Sequence, residues 1–389
     1  MDEVVGSRAL SGPCLRAGVW RGGVAEPRKT TMTRAHSSTE ARRRQGALSF
    51  AVSRPTASTP LGAAAGDGFT ALELCAGAGG QALGLERAGF EHVGLIENDA
   101  AACQTLRANR PTWNVVEHDL FAPLDLSPYK GVDLVAGGLP CPPFSVAGKQ
   151  LGEKDERNLF NVGVEYVEAL RPRAVMFENV KGMLDPAFGP YRARIDAKLR
   201  RMGYEPRWRL LNASDFGVPQ LRPRVLMVAL ERRVADAFSW PTSTDPPRSV
   251  GATLRDLMGA RGWSGVDAWA TRADRIAPTI VGGSKKHGGP DLGPTRARKA
   301  WAELDVDGRG LADDAPASDF VGSPRLTVRM VARVQGFPDE WSFSGGKTAA
   351  YRQVGNAFPP PVAEAVARRV LAALQQVSRA VVVGSPATT

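Results

Sequence analysis

The chain has 389 residues, 43% of them hydrophobic, and a formal net charge of +10; that is apolar material enough for one large or two modest domains, and it excludes a solvated tail. No apolar run reaches the roughly 18 residues of a membrane span. The four cysteines, Cys14, Cys75, Cys103 and Cys141, form no CxxC pair, which argues against a disulfide scaffold or structural zinc site and for a reducing compartment.

The positive balance suggests a polyanionic partner, but it is unevenly placed. Residues 1–66 hold ten Lys and Arg against four acids, leaving +4 for the other 323 residues. This stretch lacks a sustained apolar period and is rich in Gly, Pro, Ser and Thr, so it reads as a disordered basic arm. An organelle transit peptide, a nucleic-acid-binding arm, or a start at Met32 fit the same composition.

Order begins near Phe69. Thr70 to Leu74 reads as a strand, Ala76-Gly77-Ala78-Gly79-Gly80 as a loop, and the residues around Leu83, Leu85 and Ala88 as a helix. Strand, glycine loop, helix is the first unit of a nucleotide-binding sheet, although an ordinary tight turn has the same form. A second strand, Val93 to Ile96, ends in Glu97, about twenty residues past the glycines, where an acid suits a ribose diol. Ala100 to Asn109 reads as a helix, and Asp119 follows a short strand near Asn114 to Val116. Both acids fit solvated loops as well. The glycine loop is not GxGxxG, so a nucleoside without phosphates, such as S-adenosyl-L-methionine, fits better than a dinucleotide.

Val132 to Ala136 is a buried strand, followed by Gly137-Gly138-Leu139-Pro140-Cys141-Pro142-Pro143-Phe144-Ser145. Two glycines end the strand and three prolines stiffen a loop that cannot be helix. A rigid loop at a strand tip holds a thiol in one place, as a nucleophile requires; a buried structural cysteine beside a Pro-rich turn is the competing reading. A helix opens near Asp155 and runs to about Leu170. The strand Ala174 to Phe177 ends in Glu178-Asn179-Val180, a helix lies within Asp185 to Met202, and a strand spans Tyr204 to Leu211. Gln220, Arg222 and Arg224 alternate ahead of the strand Val225 to Leu230, so they share one face of an extended segment; an exposed edge blunted by Pro223 is the plainer reading.

From Ser239 to Ser323 periodicity is poor. Between Trp240 and Pro324 eleven Lys and Arg balance eleven acids, yet within Ser284 to Lys299 five cations, Lys285, Lys286, Arg296, Arg298 and Lys299, face only Asp291. A flexible basic loop with few apolar anchors suits phosphate and base-edge contacts, or is a solvated insertion. Leu326 to Val334 is helical and runs into Gln335-Gly336-Phe337-Pro338. Tyr351 to Pro361 follows, then a helix from Val362 to about Leu374 and a loose tail.

From about Phe69 to Leu374 the chain resembles the DNA cytosine-5 methyltransferases. The resemblance rests on eight blocks in the family's order: Leu74 to Gly80, Glu97, Asp119, the Pro140-Cys141 loop, Glu178-Asn179-Val180, Gln220 to Arg224, Arg325 to Pro338 and Tyr351 to Pro361. It departs at Cys75, where the family commonly has a Phe that packs on the cofactor adenine, and at Pro142, where it often has Gln.

The resemblance implies an α/β fold with a Rossmann-like S-adenosylmethionine-dependent methyltransferase sheet and a smaller irregular target-recognition domain. The boundaries read as an arm 1–66, a catalytic and cofactor-binding domain 67–238, a target-recognition domain 239–324, a return to the catalytic domain 325–376 and a flexible tail 377–389. It implies Cys141 as the nucleophile that adds to carbon 6 of a flipped-out cytosine, activating carbon 5 towards the methyl sulfonium. By the same resemblance Glu178 would contact ring nitrogen 3 and the amino group, and Arg222 and Arg224 would hold the base carbonyl and orient Glu178. Leu74, Cys75, Ala76, Gly77, Gly79, Gly80, Glu97, Asn98, Asp119, Leu120, Pro140, Asn356 and Ala357 would line the S-adenosyl-L-methionine site. Ser145, Gln220, Lys285, Lys286, Arg296, Arg298 and Lys299 would contact double-stranded DNA. No metal is needed. The expected role is the modification enzyme of a bacterial restriction system, a cytoplasmic monomer whose cognate endonuclease acts on the same site without binding it. An RNA cytosine methyltransferase of the same fold, a catalytically silent DNA-binding relative and a Rossmann dehydrogenase are the competing readings.

Overall fold

The structure, a computed structural model, describes residues 68–140, 158–243, 246–283 and 289–384. The readings made for the 1–66 arm and for Cys141, Ser145, Lys285 and Lys286 fall outside those residues.

Seven strands form one sheet: β1 (Phe69–Leu74), β2 (Phe90–Glu97), β3 (Val115–Glu117), β4 (Leu134–Gly138), β5 (Ala174–Val180), β6 (Tyr204–Asn212) and β7 (Pro223–Glu231). Their order across the sheet is β3-β2-β1-β4-β5-β7-β6. The first five are mutually parallel, and β7 runs antiparallel to both of its neighbours. β7 is therefore interior, and Pro223 blunts no edge. It is the first residue of its strand, a position where a missing N–H is tolerated.

The inner strands, such as β4, β5 and β7, are buried on both faces, which is why they read as continuous apolar runs. Ala71, Leu134, Ala136, Met176, Leu226 and Val228 point to one side, against α1 (Gly80–Ala88) and α11 (Pro360–Gly384). Leu72, Leu74, Val135, Val175, Phe177 and Met227 point to the other, against α3 (Leu159–Leu170) and α4 (Gly189–Arg201). Fully burying each large apolar side chain contributes about 1.5–3 kcal/mol, so this two-sided pattern fixes the strand register. α2 (Ala100–Asn109) covers β2 and β3 and is capped by Asp99, whose carboxylate accepts from Ala101 and Ala102 N–H. α3 starts four residues later than Asp155, at the point where Asn158 caps it by accepting from Phe160 N–H.

The segment after β7 is more ordered than its sequence suggests. It carries α5 (Arg232–Ala235), α6 (Val250–Met258), α7 (Val266–Arg272) and α8 (Thr295–Ala302). α5 packs on the sheet, whereas α6, α7 and α8 pack around Trp263, Trp269 and Trp301. The same core takes in Leu326, Met330 and Val334 beside or within α9 (Val328–Val334), and Tyr351 and Val354 of α10 (Lys347–Asn356). The expectation of few apolar anchors is thus corrected. So is that of a helix ending near Leu374, because α11 runs on to Gly384. Among the described residues no helix is long and apolar enough to cross a membrane.

Candidate active site

Strand order reverses between β1 and β4, and the crevice outside their carboxyl ends is where open α/β sheets bind ligands. Four strand tips meet there. β1 gives way to the glycine loop, β2 ends in Glu97, β4 ends in Gly138 at the head of the Cys141 loop, and β5 carries Glu178. Leu74 stands opposite Gly137, and Gly138 opposite Glu178.

The glycine loop is held from behind and open in front. Cys75 sits at φ 53 and Gly77 at φ 55, left-handed conformations that cost a side-chain-bearing residue and suit a tight turn. A Cβ on Gly80 would lie 2.2 Å from Phe358 O, so helix α1 starts where only glycine fits; a Cβ on Gly77 would meet nothing within 4 Å. Trp341, which sequence reasoning passed over, fixes the loop by donating its indole N–H to Ala78 O at 3.1 Å.

Glu97 organises the same loop. Its Oε2 accepts from Gly77 N–H at 2.8 Å, and its Oε1 from Asn98 N–H at 2.9 Å and Asp99 N–H at 2.8 Å. That leaves acceptor capacity on Oε2. Asp119 is exposed; its Oδ1 accepts from Phe121 N–H at 3.1 Å, and Leu120 beside it is buried. Open space beside Gly77 together with free acceptor capacity on two carboxylates fits a nucleoside with a ribose diol. Pro140, Asn98 and Asn356 are exposed, and Ala357 is buried beneath Gly80.

Glu178 and Arg224 form an ion pair, Nε to Oε1 2.7 Å, with side chains only 15% (Arg) and 12% (Glu) exposed. Burial pushes the Glu178 carboxyl above the ordinary carboxylate range, and the opposing pulls of Arg224 and Arg222 are smaller. The site thus sets a buried carboxyl, its charge opposed by burial, directly against a guanidinium. Glu178 Oε2 would lie 3.5 Å from a Cβ on Gly138, so the carboxyl hangs over the strand end that leads to Cys141. Asn179 clamps that lead-in: its Nδ2 donates to Leu139 O at 3.0 Å.

The alternation of Gln220, Arg222 and Arg224 holds, but the three side chains part company. Only Arg224 meets Glu178. Arg222 is 1% exposed and its guanidinium donates to Ile280 O, Gly355 O and Ala357 O at 2.8–3.0 Å. Gln220 is fully buried, donating to Gln335 Oε1 and Val334 O and accepting from Ile280 N–H. Its expected contact with DNA is corrected: it closes a seam inside the protein.

Arg296, Arg298 and Lys299 lie on α8, not on an extended loop. In a helix, residues two apart point in nearly opposite directions, so Arg296 and Arg298 do not share a face. Arg298 turns towards Gly308 and Thr295, whereas Arg296 and Lys299, three apart, are both exposed. Most other arginines of the insertion already pair with carboxylates: Arg255 with Asp267, Arg261 with Asp314, Arg272 with Asp305, Arg275 with Glu303 and Arg309 with Asp307.

Residues 69–372 match the family described as C-5 cytosine-specific DNA methylase. The chain is 56% identical to the Type II methyltransferase M.NaeI of Lentzea aerocolonigenes over 308 residues, 78% of this chain and 75% of that protein. It is 52% identical to the Type II methyltransferase M.NgoMIV of Neisseria gonorrhoeae over 312 residues, 79% of this chain and 99% of that one. Among solved structures, the Entamoeba histolytica methyltransferase EhMeth shares the fold with a TM-score of 0.55 at 13% identity, covering 80% of this chain and 99% of that one. With the strand tips, the glycine loop and the Glu178–Arg224 pair arranged as described, the chain belongs to the C-5 cytosine-specific DNA methylases.

Proposed function

We propose that this enzyme methylates one cytosine within a defined duplex sequence, with S-adenosyl-L-methionine as donor, as the modification half of a restriction–modification system. The observation that carries the reading is the buried Glu178 carboxyl, paired to Arg224 and hung over the strand end that leads to Cys141. The likeness to two Type II methyltransferases above 50% identity supports the restriction–modification role. The enzyme works as a cytoplasmic monomer, and any cognate endonuclease meets it only through the shared DNA site.

Glu97 and Asp119 would hold the ribose and the adenine amino group, with Leu74 to Gly80 beneath and Asn356 and Ala357 to one side. S-adenosyl-L-methionine supplies an electrophilic methyl group on a sulfonium. The target base, unreachable inside a duplex, is flipped out, at a cost of a few kcal/mol recovered through protein contacts. The Cys141 thiolate then adds to carbon 6 of the ring. Glu178 gives its proton to nitrogen 3, so the electrons displaced by the new C–S bond are accommodated at carbon 5 without building charge. Arg224 holds the base carbonyl and keeps Glu178 oriented. Once carbon 5 has taken the methyl group, leaving the donor as a neutral thioether, it loses its proton to solvent, the thiolate is expelled, nitrogen 3 returns its proton to Glu178, and the aromatic ring, Cys141 and Glu178 are restored.

Sequence reading belongs to the insertion, with the exposed Arg296–Lys299 face of α8 as its described part. Tritium transfer from labelled S-adenosyl-L-methionine tests the whole reading. Label should enter cognate duplex DNA and not transfer RNA, and Cys141→Ser should abolish incorporation while donor affinity stays within about threefold. Label on RNA alone, or Cys141→Ser turnover above about a hundredth of wild type, would overturn it, since losing a covalent route costs several kcal/mol.

A further inference from the structure

The insertion and the cofactor end of the site meet along a seam that leaves no slack. Arg222 Nη1 donates to Ile280 O at 2.8 Å, and Nη2 to Gly355 O at 2.8 Å and Ala357 O at 3.0 Å. Tyr351 Oη donates to Val281 O at 3.1 Å, and Asn356 Nδ2 to Gly283 O at 3.2 Å. A Cβ on Gly282 would lie 2.5 Å from Asn356 Oδ1, and one on Gly355 2.4 Å from Gly282 Cα. Backbone therefore packs directly on backbone between Ile280–Gly283, which leads into the Lys285–Lys286 stretch, and Gly355–Ala357.

We propose that Arg222 is a positioning residue that couples the DNA-reading insertion to the cofactor end of the site, so that each ligand changes the enzyme's affinity for the other. The inference rests on the function proposed above, in which the insertion touches DNA and Asn356–Ala357 flank the donor. One rigid planar fork holds a carbonyl of the insertion and two carbonyls of the cofactor end, so neither side can shift without disturbing the other. Both terminal nitrogens of the Arg222 guanidinium are committed to carbonyls, its Nε has no partner, and the side chain is 1% exposed, so it offers no accessible donor to a substrate carbonyl; among the two arginines of this stretch that task falls to Arg224. Burial and the neighbouring Arg224 both work against the Arg222 charge, so the residue is kept in place by the geometry of its acceptors.

Affinity for S-adenosylhomocysteine, a non-reactive stand-in for the donor, measured by calorimetry with and without a cognate duplex, gives the coupling factor directly. The full chain should show a factor of at least about 5, within the usual range for coupled sites. Arg222→Lys, which keeps the charge but not the fork, should bring the factor to below about 2. Affinity for each ligand alone should stay within about threefold. Tyr351→Phe, which removes one seam hydrogen bond outside the fork, should lower the factor part-way, and it carries the test should Arg222→Lys fail to fold. A wild-type factor of one, or an unchanged factor in either folded variant, would overturn the coupling while leaving the methyltransferase reading intact. A wild-type chain that binds neither probe would instead overturn that reading, and the coupling with it.

Discussion

Arg224 and Glu178 meet on a diagonal. The antiparallel register sets Arg224 opposite Val180 and Glu178 opposite Leu226, yet Arg224 Nε reaches back two residues to Glu178 Oε1 at 2.7 Å. Such i, j±2 neighbours lie within reach of long side chains on one sheet face. The reversed direction of β7 is what creates this contact, since it turns the start of that strand towards the tip of β5.

Arg224→Ala should lower the single-turnover methylation rate at least about 100-fold while donor affinity stays within about threefold. Removing one partner of a buried pair costs about 3–5 kcal/mol because the other is left uncompensated. Arg224→Lys, with charge but no planar fork, should fall between the two. Rapid-quench kinetics beside calorimetry measures both quantities, and a rate within tenfold of wild type for Arg224→Ala would make the pair purely structural.

Glu97→Gln should damage the loop as well as donor binding. Three backbone N–H groups converge on the carboxylate, and an amide nitrogen cannot accept from the one it meets. Leaving that half-buried donor unsatisfied costs about 1 kcal/mol, the low end for a lost acceptor. Calorimetry should show donor affinity down more than about tenfold, and thermal melts a lower midpoint. Unchanged melting with lost affinity would mean that Glu97 serves the ribose alone.

Glu73, 1% exposed on β1 with its Oε2 unpaired, should give stability a distinctive pH slope. Burial, with a smaller push from Glu97, raises its carboxyl well above the ordinary 4.5. Between that ordinary value and the raised one, the folded chain keeps a proton that the unfolded chain has released. Stability therefore falls as pH rises through this window, by about 1.4 kcal/mol per unit for one group. Glu73→Gln cannot ionise, so its stability relative to wild type should grow from pH 5 to pH 8 in denaturant titrations. Parallel pH profiles would show that the Glu73 carboxyl is not perturbed.

On α8, Arg296→Ala should cost about 1–3 kcal/mol against the cognate site and relax the target at one base pair, the usual worth of a guanine contact. Lys299→Ala should weaken all sequences alike and reduce the salt slope by about one unit. Arg298→Ala, turned towards Gly308, should leave the sequence profile unchanged. Methylation across single-substitution duplexes at fixed salt separates the three outcomes, and a wild-type profile for Arg296→Ala would move the reader elsewhere in the insertion.

The catalytic half was legible because its signals are local. Two-sided apolar runs such as Leu134–Ala136 and Val225–Leu230 announce buried strands. Glycines at Gly77 and Gly80 and acids at the strand tips Glu97 and Glu178 stand where the chain must turn or where a ligand approaches. The insertion was not legible, because α6, α7 and α8 have 9, 7 and 8 residues, too few turns to establish a period. Its core brings Trp301 onto Trp263 and Trp269, together with Leu326, Met330 and Tyr351, from far along the chain.

The sequence by itself determined the family, the strands of the α/β sheet and the chemistry, since each depends on residue types at short fixed spacings. It assigned Gln220 to DNA and both Arg222 and Arg224 to Glu178 and the base, and two of the three serve other partners. Only the tertiary structure decided that Arg224 goes to Glu178, that Arg222 goes to three carbonyls, that Gln220 closes a seam and that Arg296 and Arg298 diverge. Alternation fixes which residues share a face, but not what lies opposite that face. The partners come from residues 280, 335 and 355–357, brought there by packing between elements far apart in the chain, and no local pattern encodes that proximity.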